Sequence, residues 1–285
     1  MGQLRDRMET DLKLGGYSPS TQKIYLLYAK LFAKYHMRPP AEMGEEEIRQ
    51  YLLHMVEEKK ISRETYRQIR AALIFLYAVT LKRPTAVDHL PVRRNKVRLP
   101  VVLSGTEVQA LLDAVRVAKY RAIVMAQYAG GLRISEACRL RPEDIDSKRM
   151  VIHVRNGKGG RDRYTVLSAR FLAFLRDYFR KHRPDGWLFP GGTASGHASP
   201  ETSRKVFHAA VASAGISKKI TPHVLRHCFA THLLESGVDI AVIQALLGHG
   251  SLRATEVYTH VSVEHIGRVK SPLDLLGTPA AKPLG

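Results

Sequence analysis

Cysteine is nearly missing from this chain. Only Cys138 and Cys228 occur among 285 residues. Two thiols so far apart supply neither a disulfide framework nor the paired spacing of a structural zinc site. Both read as small buried residues of a reducing compartment, without a chemical role. Long apolar runs are lacking too. The longest, Ala71–Val79 (AALIFLYAV), falls well short of the ~20 residues needed to span a bilayer. The first stretch, MGQLRDRMETDLKL, mixes acids with bases around no apolar segment, so no export signal is expected there. Acids are scarce as well: 26 Asp and Glu stand against 45 Lys and Arg, a net charge of +19. An excess of that size repels itself in the folded state and is usually kept for a polyanionic partner, nucleic acid first and a membrane surface second. Apolar side chains are plentiful, at 45%. They exclude wholesale disorder, and the length suits two domains.

The order of patterns along the chain predicts a mainly helical fold with a small β-hairpin. Residues 1–85 read as helix upon helix. A stripe of Ile24, Leu27, Tyr28, Leu31, Phe32 and Tyr35 follows Ser18-Pro19, and further stripes run through Ile48, Leu52, Met55 and Val56 and through Tyr66, Ile69, Leu73 and Leu76. Arg63, Arg67 and Arg70 fall on the face away from the last stripe, where they would meet phosphates. Residues 86–100 have no apolar period and carry Arg93, Arg94, Lys96 and Arg98 without an acid among them. They read as an inter-domain linker with a basic strap. Residues 101–271 form a larger mixed α+β domain. In it, RMVIHVRNGKGGRDRYTVLS predicts two short strands about a Gly-rich turn, and helices are expected at 168–182, 200–214, 222–236 and 239–247. Residues 272–285 are expected to be a loose tail except around Leu273 and Leu276.

Four segments carry candidate chemistry. In TPHVLRHCFATHLLESG, Thr221 and Pro222 open a helix that would bury Val224, Leu225, Cys228, Phe229 and Leu233 and turn His223 and Arg226 outward. The free N–H groups of that helix start suit a phosphate and would keep His223 neutral, able to act as a base. His232 falls in the apolar arc as a hydrogen-bonded core histidine. No HExxH, cysteine ligand or adjacent acid accompanies His223 and His227, so no metal is expected. In GGLRISEACRL the glycine pair ends a helix and sets Arg133 at a turn, with Glu136 one turn on to hold its guanidinium. Lys158 and Arg161 lie in the hairpin turn NGKGGRD, which is not a phosphate-binding P-loop. Finally, Asp239 caps a helix that ends at Gly248, followed by His249 and then Tyr258.

Taken together, these segments resemble the tyrosine recombinase (phage integrase) family, in its Xer-like and integron-integrase-like branches. The resemblance is strongest over residues 220–261 and is completed by GLRISEA and GKGGRDR. It implies a helical core-binding domain followed by a catalytic domain, and a site-specific recombinase that joins DNA to itself as a 3′-phosphotyrosyl intermediate. It assigns the two family arginines to Arg133 and Arg226, the hairpin lysine to Lys158, the two histidines to His223 and His249, and the nucleophile to Tyr258. It also implies double-stranded DNA bearing a specific site, a homo-tetramer on paired sites, an accessory protein as an option, no cofactor, and a cytoplasmic, nucleoid-associated enzyme. Cys228 stands where the family usually has serine, Ala254 where threonine is common and Val166 where proline often follows the hairpin. A type IB topoisomerase-like enzyme, a non-catalytic DNA-binding regulator and a membrane-surface binder stay open as alternatives. The segment EHIGRVKSPLDLLG, residues 264–277, is expected to pack on a neighbouring subunit.

Overall fold

Caps written into the sequence start most of the helices. The computed structural model describes residues 2–92, 101–155, 162–192, 196–248 and 269–276, divided between two units, Met1–Arg98 and Leu99–Gly285. In the first unit α1 (Gly2–Leu14), α2 (Pro19–His36), α3 (Glu45–Glu57) and α4 (Arg63–Ile74) follow one another. Ser18 accepts from the Thr21 N–H and Ser62 from the Thr65 N–H, so each satisfies a donor that the first helical turn leaves open. A π-helical turn, Phe75–Thr80, continues α4 and buries Phe75, Leu76 and Tyr77 in succession. The core of this unit gathers Met8, Leu12, Phe32, Ile48, Ile69 and Leu73.

Two expectations for this unit are corrected. The buried face of α2 is Tyr28, Ala29, Phe32 and Ala33, whereas Leu27, Leu31 and Tyr35 are exposed. The small alanines give room for α1 to approach, and counting large apolar residues misses that. The linker expected from residue 86 also begins later. Val87 and Leu90 are buried in the unit's core, and the Tyr66 hydroxyl donates to the Pro91 carbonyl at 2.8 Å.

The second unit contains α5 (Gly105–Ala114), α6 (Ala118–Ala129), α7 (Ile134–Cys138), β1 (Ile145–Asp146), β2 (Val151–Val154), β3 (Arg163–Val166), α8 (Ala169–His182), α9 (Pro200–Ser213), α10 (His223–Glu235), α11 (Ile240–Leu247) and α12 (Pro272–Leu275). The central helix, α6, is buried on every side from Ala122 to Ala129. Such a helix must sit in a core, because it has no polar face to give to water. The three strands form an antiparallel sheet in the order β1-β2-β3, with Val151 opposite Val166 and Val154 opposite Arg163. The expected hairpin is therefore present, with β1 added at its edge.

At the C-terminal tail the exception expected around Leu273 and Leu276 is present, and the unit extends past residue 271. Leu273 is fully buried in the core of its own unit, and the Ser271 hydroxyl donates to the Ala129 carbonyl at 2.7 Å. Asp274 caps α8 from a distance: its carboxylate accepts from the Ser168 hydroxyl at 2.6 Å and from the backbone N–H groups of Ala169 and Arg170. Residues 271–276 thus pack on their own unit, and the rest of the segment expected to meet a neighbour, apart from Val269 and Lys270, lies outside the described residues. Replacing Asp274 with alanine should cost about 1–2 kcal/mol, the size of a lost helix cap. Urea unfolding of the full chain checks this.

Candidate active site

A two-glycine turn builds the first part of the site. Gly131 has φ +64°, and a Cβ there would lie 2.6 Å from Phe229 Cδ1 and 3.0 Å from Leu247 Cδ2. Only glycine meets both conditions. The turn ends α6 and sets Arg133 at the N-cap of α7. The Arg133 backbone N–H donates to Glu136 Oε2 at 2.8 Å, and its Nη1 donates to Oε1 at 2.6 Å. Glu136 therefore holds the arginine from both ends, as expected of its place one turn on.

Arg226, in the first turns of α10, departs from expectation. It is 3% exposed, whereas His223 on the preceding turn is exposed. Its Nη1 donates to the Gly131 carbonyl at 2.6 Å and its Nη2 to the Leu247 carbonyl, while Nη1 lies 3.9 Å from Glu136 Oε2. These carbonyls offset the cost of burying a guanidinium. Helical spacing alone cannot reveal them, because they arrive from the turn after α6 and from α11.

One cation was missed. Arg163, at the start of β3, donates through Nη1 and Nη2 to the two oxygens of Glu136 at 3.0 and 2.8 Å, and through Nε to the Leu246 carbonyl at 3.0 Å. The available signal was its strand phase: it shares a face with the buried Thr165, two residues on.

The electrostatics follow from three guanidiniums sharing one carboxylate. Burial works against ionisation of Glu136, but Arg163 and then Arg133 outweigh it and hold the carboxyl at about 2. Burial, followed by the positive charges of Arg133 and Arg163, brings Arg226 down to about 9, so it stays charged at neutral pH. Partial desolvation of the ring, and then the neighbouring His227, Arg226 and Arg133, lower His223 from its ordinary value and favour its neutral form. Three cations against one anion leave a local excess of positive charge, the setting that a phosphate group fills.

Lys158, Arg161, His249 and Tyr258 lie outside the described residues, as do Arg93, Arg94, Lys96 and Arg98. His232 meets the Tyr128 hydroxyl at 2.9 Å, the hydrogen-bonded place expected for it. In the N-terminal unit Arg67 is exposed and pairs with Glu64 at 2.8 Å, and Arg63 is half-buried. Arg70 points two donors at the Leu90 carbonyl, at 3.2 and 3.1 Å, so it holds the segment leaving this unit. No helix among the described residues is long and apolar enough to cross a membrane.

A helical unit followed by a helix-rich unit with a three-stranded sheet and a buried arginine cluster is the architecture of a tyrosine recombinase. Residues 101–265 match the phage integrase family and residues 4–86 its N-terminal SAM-like domain, so the chain belongs to the phage integrase family. It is 44% identical to the putative integrase/recombinase y4qK of Sinorhizobium fredii, over 99% of this chain and 92% of that one. It is 32% identical to the tyrosine recombinase XerA of Pyrococcus furiosus, over 95% and 94% of the two chains. Among solved structures, a crystal structure of XerA recombinase is similar with a TM-score of 0.50 and 28% identity, covering 91% of this chain and 94% of that one. A lambda integrase (75–356) dimer bound to a COC′ core site shares the fold, with a TM-score of 0.71 and 21% identity over 88% and 95% of the chains.

Proposed function

We propose that this tyrosine recombinase cuts and rejoins double-stranded DNA at a specific site, with Tyr258 as nucleophile. The observation that carries the proposal is the arginine cluster around Glu136, within a chain that matches the family over residues 4–86 and 101–265. The Tyr258 oxygen attacks the scissile phosphorus, and its bond forms as the bond to the 5′-oxygen breaks, leaving a 3′-phosphotyrosyl link. The phenolic proton passes to neutral His223, and Lys158 supplies the proton taken up by the leaving 5′-oxygen. Arg133 and Arg226, with a hydrogen bond from His249, stabilise the extra negative charge of the phosphorane, usually the largest single contribution. Attack by another strand's 5′-hydroxyl reverses the step. The charge work is done by arginine, and no cofactor enters the scheme.

The net charge of +19 suits the DNA partner, and a tetramer on two paired sites accommodates exchange between duplexes. The exposed Arg67, the half-buried Arg63 and the basic strap Arg93, Arg94, Lys96 and Arg98, together with Arg161, are assigned to the DNA backbone. The test starts from duplexes recovered by binding selection from random-sequence DNA. Nicked versions should trap a covalent adduct, and DNA carrying two sites should exchange strands. Adduct without exchange would favour a topoisomerase-like enzyme, and binding without adduct a regulator. Lys158→Ala should slow cleavage roughly 10²–10⁴-fold, the usual worth of a positioned acid. Sulfur in place of the 5′-bridging oxygen should restore the rate, because a thiolate leaves without help. A persistent deficit on the sulfur substrate would remove Lys158 from the role of acid.

A further inference from the structure

Arg163 joins parts of the unit that are far apart in sequence. Its planar fork takes both oxygens of Glu136, an arrangement that the single ammonium of lysine cannot copy. The same carboxylate grips Arg133 at its backbone N–H and its guanidinium. The orientation of Arg133 is thus set by an anion that Arg163 fixes from the other side. The third contact runs elsewhere. The carbonyls of the last helical turn have no partner inside the helix, and at the end of α11 arginines take two of them: Arg163 Nε the Leu246 carbonyl and Arg226 Nη2 the Leu247 carbonyl. A cation at that end also meets the negative pole of the helix. The chain then turns closely around the Arg163 stem. Gly248 has φ +62°, and a Cβ there would lie 2.7 Å from Arg163 Cδ.

The side chain of Arg163 is 8% exposed against 25% for Arg133, and all three of its nitrogens are taken by Glu136 and the Leu246 carbonyl. In sequence it follows Lys158 by five residues, and Leu246 precedes His249 by three. We infer that Arg163 is a positioning residue for strand cleavage, which sets the phosphate clamp of Arg133 through Glu136 and fixes the end of α11 through the Leu246 carbonyl. This role rests on the recombinase reading above. It differs from that of an ion pair that only holds the fold, which is common for buried charges.

The deciding experiment is single-turnover cleavage by the full chain on the selected, nicked duplex, in three forms. One has the ordinary phosphate. One has a methylphosphonate at the scissile position, where a neutral methyl replaces a non-bridging oxygen. One has sulfur at the 5′-bridging position. Arg163→Lys keeps the charge and loses the fork. It should cleave the ordinary duplex roughly 10²-fold more slowly, the cost of a misplaced clamp, with DNA affinity unchanged. On the methylphosphonate, where one of the clamped oxygens is gone and the phosphorane carries one negative charge fewer, most of the deficit should disappear. On the sulfur substrate the deficit should remain. Glu136→Gln should behave alike, and the double variant should be no slower than the slower single one, because both act through one carboxylate. Thermal unfolding of each variant separates folding loss from lost positioning. Full cleavage by Arg163→Lys would overturn the role. So would rescue by sulfur instead of methylphosphonate, or a deficit on all three substrates that tracks the loss of folded protein. An unaltered protein that forms no adduct on any substrate would overturn the recombinase reading itself, before any variant is compared.

Discussion

Phenylalanine in place of Tyr258 is expected to abolish the covalent protein–DNA adduct and leave DNA binding intact. The change removes one hydroxyl. Affinity for duplex DNA comes chiefly from cations neutralising phosphates, and the variant keeps the +19 excess of the chain. Without the phenolic oxygen no atom remains to form the phosphotyrosyl bond, so adduct should drop to background rather than slow down. Gel shift and denaturing electrophoresis of the same samples separate binding from bond formation. Adduct that persists would assign the nucleophile to another residue. Loss of binding together with adduct would mean that the substitution had damaged the fold.

Alanine in place of Glu136 should have the largest effect on stability. The carboxylate accepts from Arg133 and Arg163 and lies within 3.9 Å of Arg226, with its side chain 8% exposed. Removing it leaves three guanidiniums facing one another in a partly dry site. Breaking a buried pair in this way typically costs about 3–5 kcal/mol, because the surviving charge is stranded. Urea unfolding of the variant should show a loss of that size, and cleavage should fall with it. A loss under about 1 kcal/mol, the range of exposed pairs, would show that the cluster is not coupled as its geometry indicates. The pH dependence has a definite sign. The folded carboxyl titrates at about 2, below its ordinary value of 4.5. Its contribution is therefore complete above pH 4.5 and is lost as the pH falls toward 2. The unaltered chain should lose stability across that window more steeply than the Glu136→Ala chain.

Much of the fold was legible because local signals and global packing agree. The observed spans of α8 to α11 differ from those expected by a residue or so at their ends. Serine or aspartate marks the start of several helices and apolar spacing fixes their faces. The hairpin was legible from alternation and its glycine turn. What escaped depends on contacts between distant segments. Arg226 reads as an outward residue on its own helix and becomes buried only because carbonyls from Gly131 and Leu247 meet it. Arg163 was hidden behind the more familiar lysine of its turn. In the tail the leucines were legible but Asp274 was not, because α12 is only four residues long and Asp274 caps a helix more than a hundred residues upstream. The linker was drawn too early because Val87 and Leu90 follow no helical period and are buried as single anchors.

The placing of Val269 has a consequence for how substitutions combine. Val269 packs against the small apolar cluster that contains Leu246 and Leu247. Residues more than twenty positions apart in sequence are thus held by one cluster, and a change at either place is felt at the other. The stability losses of Leu246→Ala and Val269→Ala should therefore not add, because both open the same packing.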